Sequence, residues 1–469
     1  MQSPRSLTEG SISQRLFVFA VPILLGNVLQ SLDGSVNSVW IGRYLGEAAL
    51  TASSNANTVL FLLLGALFGA SLAATILIGQ YVGARRIHDA KRVVGTSVCF
   101  SVVVSIAVGG LGLAVCRSLL AAMDTPAAAM PLAVAYMRVI FLALPFLVLY
   151  IFATSVLRGA GDSKTPLYFL ILNVVLDIAL NPLLIFGLGP IPRLGIAGSA
   201  LATLLAQGIS LITLIVHLYR RKNPLCLHGE ELKLLRVDWS IVATLITKGV
   251  PMALQMIVVS FSMVLMITLV NRFGIDTTAA FGASLQVWNY VQMPSFAIGM
   301  AVSSMVAQNI GAQKWDRVAA TARVGVLYQL VLTGSLVLAI ELLDTRALGL
   351  FLPPDSAALH IAVHVNRIGA WNFVFLGISL VLLAVVRANG AVVAPLIILA
   401  IALLGIRFPV AYTLIPRFNA DAIWWSFPLS SVVAMALAMV YYRFGGWRAA
   451  RMISHGERAA SVAHEQIGA

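Results

Sequence analysis

The chain repeats itself at half-length, and both copies are apolar. Pro22 closes the run FAVP, and Pro251 opens its counterpart GVPMAL in the second half. Gly79-Gln80-Tyr81-Val82-Gly83-Ala84 returns as Ala307-Gln308-Asn309-Ile310-Gly311-Ala312, with basic residues following both times. Arg158-Gly159-Ala160-Gly161, with Pro166 soon after, returns as Arg387-Ala388-Asn389-Gly390 with Pro395 at the same offset. An apolar chain repeated in this way is expected to build two homologous helical bundles around a shared cavity, as secondary transporters do.

Composition places the repeat in a membrane. By length, 469 residues would allow two or three soluble domains. The residues are 60% hydrophobic and 10% charged, with a mean hydropathy of +0.94. A soluble domain carries roughly 25% charged residues. Twelve apolar runs lie near 15–40, 49–80, 93–116, 131–157, 166–188, 195–219, 240–271, 278–308, 320–342, 361–386, 393–415 and 421–443. Each approaches or exceeds the ~20 residues that cross a bilayer, and the longer ones imply tilt or extension beyond it. The predicted fold is an all-α membrane protein of twelve transmembrane helices in two six-helix lobes. Boundaries are expected at 1–225 for the first lobe, 226–239 for a cytoplasmic connector, 240–445 for the second lobe and 446–469 for a tail. The polar start and the long, proline-bearing first run fit no secretory cleavage pattern. The tail from 453 is polar and Ala-rich and is expected to be disordered. In the connector, Leu232, Leu234, Leu235 and Val237 predict a short amphipathic segment on the cytoplasmic membrane face.

Charge sets the orientation. The net charge is +13, but the cations gather in alternate loops. One group is Arg85, Arg86, Lys91 and Arg92; others are Arg158 with Lys164, and Arg220 to Arg236. Lys314, Arg317 and Arg323, then Arg387, then Arg443 to Arg458 continue the pattern. The positive-inside rule then puts both termini in the cytoplasm and the protein in the plasma (inner) membrane. Short basic loops without a basic fold to present them argue against nucleic-acid binding. Cys99, Cys116 and Cys226 suggest neither a disulfide framework nor a metal site. His360 and His364 share a helix face but lack a third ligand in sequence, so they read as surface residues. No Walker A loop or Ser-His-Asp arrangement is present, so neither ATP hydrolysis nor acyl transfer is expected. No enzyme activity and no cofactor are predicted.

Carboxylates inside apolar helices mark the candidate site, because a membrane-buried charge is costly and usually functional. Asp33 in the first helix and Asp177 in the fifth are the clear cases. Asn173, Asp177 and Asn181 are spaced by four and share a face. Asp177 lies about 16 Å along its helix from Pro166, at roughly 1.5 Å per residue, which is mid-membrane. Asp33 and Asn37 also share a face, with Gln30 on the same outer half of the helix. Pro22 cannot donate its backbone hydrogen bond, and reads as a hinge whose bend responds to protonation of a nearby Asp. The second half has no such acids: at the repeat offset, Ser262 and Ile406 stand in for Asp33 and Asp177. Arg407 lies inside the eleventh helix without an acidic partner in sequence. Methionines are frequent there, and Gln255, Met256, Met263, Gln286, Trp288 and Met293, with Gln30 from the first half, are candidates to line a polyspecific substrate cavity.

The paired GQxxGA-type motifs, the loop LRGAGDSKTP and the fifth-helix run NVVLDIALNP resemble the multidrug and toxic compound extrusion (MATE) family. The resemblance spans residues 15 to 445 and implies cation-coupled efflux of cationic or amphipathic compounds from a V-shaped cavity. The lack of acids in helices 7 and 10 makes the chain look more like the DinF-like branch, in which first-lobe residues carry coupling. That branch's fifth-helix Asn and Asp fall on Asn173 and Asp177, and its sixth-helix Thr on Thr203. Its first-helix Asp falls on Asn37, while Asp33 supplies a carboxylate one turn earlier. The resemblance leaves the coupling ion as proton or sodium, with sodium held at Asp177 and Asn173 if it is the ion. The partners expected are a small-molecule substrate and membrane lipid, and twelve helices in one chain require no oligomer. A lipid-linked precursor flippase is the alternative, although it would want a more cationic cavity.

Overall fold

A computed structural model describes residues 7–187 and 192–452. The tail predicted to be disordered, from 453, lies outside them. Eleven helices among the described residues are long and apolar enough to cross a membrane. These are α1 (Ile12–Leu45), α3 (Ile87–Ala122), α4 (Met130–Gly159), α5 (Lys164–Phe186), α6 (Ile196–Arg220) and α7 (Trp239–Phe273). They continue with α8 (Ile275–Gly311), α9 (Trp315–Leu342), α10 (Ala357–Ala388), α11 (Val393–Phe418) and α12 (Asp421–Phe444). The helix α2 (Glu47–Gly83), whose stretch Leu67–Gly83 is apolar, makes the twelfth. The fold is therefore the all-α membrane architecture that hydropathy predicts, with most helices longer than the apolar runs. Two helices are irregular. The helix α10 is broken at Ala370–Trp371 into Ala357–Gly369 and Asn372–Ala388, and α11 turns π-helical over Ile401–Arg407.

The described residues divide into two compact units, one within Leu25–Gly249 and the other of 7–24 together with 250–452. Both divisions fall inside helices, next to Pro22 in α1 and Pro251 in α7. The first turns of each of these helices thus pack with the other repeat's bundle. Side chains show how. In the second unit, the α8–α9 corner grips the segment ahead of α1. Gln308 Oε1 accepts from the Leu7 amide at 3.2 Å, Lys314 Nζ donates to Thr8 O at 3.0 Å, and Arg317 Nη1 donates to Gly10 O at 3.0 Å. In the first unit, the α3 N-terminus grips the segment ahead of α7. Lys91 pairs with Glu231 at 2.5 Å, Arg92 with Asp238 at 2.7 Å, and Thr96 Oγ1 donates to Arg236 O at 3.1 Å. Gly95 is required there, since a Cβ on it would run into the Leu234 carbonyl oxygen. The predicted amphipathic stretch is a 3-10 turn, Gly229–Leu234, and leaves Leu232, Leu235 and Val237 exposed.

Within the first unit, the end of α1, α2, α3, α4 and the start of α6 share a core that includes Ile41, Val59, Leu120, Tyr136, Phe141 and Ile196. The second unit centres on Met266, Phe281, Trp288, Phe373, Trp424 and Phe427. Their aromatic rings meet edge-on, tilted or stacked at 5.4–6.0 Å, geometry that a ring quadrupole favours. His364, read from sequence as unpartnered, sits 2.8 Å from Asp421, an acid 57 positions away on the next-but-one helix. Among the described residues no group of three or more His, Cys, Asp or Glu side chains is placed to hold a metal.

Candidate functional site

The polar face of α5 is buried: Asn173, Asp177 and Asn181 are 6%, 2% and 1% exposed. The fourfold spacing puts them in line, and the apolar residues between them, Val175 and Ile178, face outward. Thr203, on α6, donates its hydroxyl to Asp177 Oδ1 at 3.0 Å. Asn181 turns back and donates to the Asp177 main-chain carbonyl at 3.0 Å. Asp33, on α1, lies within electrostatic reach of the Asp177 carboxyl. Two carboxylates offer only acceptors, so a direct bond between them would need a proton on one. Among the described residues neither acid has an Arg or Lys partner.

The surroundings are rich in unsatisfied acceptors. Asp33 Oδ1, Asn173 Oδ1, Asn181 Oδ1 and Gln207 Oε1 are all buried without a hydrogen-bond partner. A buried acceptor without a donor costs free energy, and several on the same three helices are unusual in a purely structural core. Gln207 and Ser199 are not among the residues anticipated from sequence. Both lie four positions from Thr203 on α6, so the helical period alone was the signal that could have found them. Tyr136, from α4, is 2% exposed and within electrostatic reach of Asp177.

The structure brings together Asp33, Asp177, Thr203 and Asn181. Asn37 is held one step away: its Oδ1 accepts from Ser199 Oγ at 2.8 Å, and Ser199 O in turn accepts from Thr203 at 3.4 Å. Gln30 is exposed and Pro22 is buried within an unbroken α1. The second-half residues scatter. Trp288 is buried and donates Nε1–H to Asn366 Oδ1 at 3.1 Å. Gln255 is buried, donates to the Pro251 and Val392 carbonyls, and accepts from Arg387 Nη1 at 2.7 Å. Met256, Met263 and Met293 are half-buried and Gln286 is exposed.

Residues 22–183 and 251–413 each match the MatE family. The two matched segments start on the paired prolines, Pro22 and Pro251. A probable multidrug resistance protein, YoeA of Bacillus subtilis, is 36% identical over 93% of this chain and 95% of its own length. A second from the same organism, YpnP, is 31% identical over 95% of this chain and 98% of its own. A crystal structure of a MATE transporter in the bent conformation shares the fold with a TM-score of 0.86 at 19% identity, covering 94% of this chain and 97% of that one.

Proposed function

The chain belongs to the MatE family of membrane transporters, and we propose that it is a multidrug efflux antiporter driven by a cation taken up at Asp177 and Asp33. The observation that carries this reading is the buried Asp177, which accepts from Thr203 and lies within electrostatic reach of Asp33, with no basic partner for either acid among the described residues. In low dielectric two such groups cannot both ionise cheaply, so the pair holds one proton in the closed arrangement. Loss of that proton leaves like charges facing each other and drives α1 away from α5. A proton gradient can then be converted into movement of α1 about Pro22, with Thr203 and Asn181 positioning Asp177. A specific observation favours sodium as a second reading. Asp33, Asn173, Asn181 and Gln207 present unpaired oxygens, the ligand type that a hard cation wants.

The loop charges support cytoplasmic termini in a plasma membrane. The chain needs no second copy to form the acid pair, which supports a monomer. The exported compounds are read as organic cations or amphipaths, as the multidrug names of the relatives suggest. Ethidium uptake into inverted membrane vesicles, with proton and sodium gradients imposed separately, tests the reading. Uptake under the proton gradient alone supports the acid pair as a proton site. Uptake under sodium alone replaces the proton with sodium, and uptake under neither gradient sinks cation antiport.

A further inference from the structure

The two halves carry opposite charges at nearly repeat-equivalent positions, Asp177 and Arg407. Pro395 keeps the same offset from Pro166 that Pro251 keeps from Pro22. Yet the second matched segment, 251–413, runs one position longer than the first, 22–183, and ends in α11. That is where α11 becomes π-helical, over Ile401–Arg407. A π turn absorbs one residue more than an α turn. One residue absorbed there would pair Asp177 with Arg407 and not with Ile406. The neighbours follow the same plan. Ser262, the counterpart of Asp33, donates to Leu403 O on α11 at 3.2 Å. The helix α12 supplies hydroxyls to Arg407 as α6 supplies Thr203 to Asp177.

Arg407 is 4% exposed and makes no ion pair among the described residues. Its Nε donates to Ser430 Oγ at 2.9 Å, its Nη2 to Asn372 Oδ1 at 3.0 Å, and its plane lies 4.5 Å over the Phe427 ring. Ser430 and Ser431 spend their own protons on Phe427 O and Asn372 Oδ1. Asn372 Oδ1 therefore faces two donors, which assigns its amide and turns Nδ2 away. Arg407 Nη1 and Asn372 Nδ2 hydrogen-bond no described residue, and neither is among the sealed, unpaired buried atoms. The corner thus offers a full positive charge and spare N–H donors, with no acid to neutralise them. An uncompensated buried charge is costly, and an anion would relieve it.

We propose that Arg407 and Asn372 bind one monovalent anion, either a free halide or the carboxylate of a transported compound. The site lies wholly within the second unit, so the proposal stands apart from the cation site and survives its failure. The test uses the purified full chain in detergent at constant ionic strength. Sodium chloride, and separately sodium benzoate, is titrated in place of sodium gluconate while the unfolding temperature is read. A saturable rise is expected in the wild type. It should vanish in Asn372→Asp, whose carboxylate still accepts from Arg407 and Ser431 but supplies the counter-charge internally. Arg407→Met should lose it too, and Asn372→Asp decides if that variant fails to fold. A response to chloride identifies a free halide, and a response to benzoate alone identifies a substrate carboxylate. No saturable rise with either anion, or an equal rise in Asn372→Asp, overturns the proposal.

Discussion

Asp177 is the residue on which the account turns. Replacing it with Asn keeps the size and the bond from Thr203 but removes the charge change. Asp177→Asn should lower gradient-driven efflux by at least tenfold while expression and unfolding temperature stay near wild type; efflux at the wild-type rate would locate coupling elsewhere. Asp33→Asn is a milder change. It leaves Asp177 ionisable but without its carboxyl partner, so efflux should persist with an altered pH profile, measured as rate against pH from 5 to 9. The α5 acid was legible in sequence because fourfold spacing survives any packing. Asp33 facing Asp177 depends on how α1 is placed, and only the helix face could be foreseen. Gln207 was not legible, because one amide in an apolar helix carries no pattern of its own.

At the scale of elements, α1 and α7, divided next to Pro22 and Pro251, and their anchored leads matter most. Pro22→Ala would restore a backbone donor and remove the clash with the preceding turn. Transport should slow several-fold with ethidium affinity little changed, which a comparison of efflux rate with equilibrium binding checks. Gly95→Ala would drive a methyl into the Leu234 carbonyl and should cost about 1–3 kcal/mol, read as a lowered unfolding temperature. The same connector is pH-sensitive. Hydrogen bonds from Lys91 and the His228 amide hold Glu231 below the usual carboxylate range. Burial pushes Asp238 up, but bonds from Ser240 and Arg92 outweigh it and leave that acid depressed as well. Groups depressed in the folded state add stability above their unfolded pKa and lose it as pH falls through the folded one. Amide exchange over 229–238 should therefore quicken on acidification below about pH 4, near the unfolded carboxylate values, and stay flat between pH 6 and 8. The exchange of helix starts at Pro22 and Pro251 was not readable, because hydropathy reports burial and not which bundle does the burying.

At the scale of the whole molecule, the duplicated sequence explains most of what was foreseeable. Two copies of one apolar pattern dictate helix number and length, and lipid permits no other spanning element in an unclosed structure. The repeat was blind to one local event, the π-helical stretch Ile401–Arg407 in α11. An even number of helices per repeat also predicts that the corners at Gly83 and Gly311 lie on the same membrane side. Single cysteines at exposed loop positions beside each corner should react with an impermeant maleimide from the same face. The central claim is that the Asp33–Asp177 pair takes up the proton that drives export, so that an antiporter of this kind gives it up when substrate binds. It is tested most directly by adding ethidium to purified protein in weakly buffered solution and counting the protons released. The account predicts about one proton per wild-type chain at neutral pH and none from Asp177→Asn. Equal release from both, or none from a wild type that demonstrably binds ethidium, would contradict it.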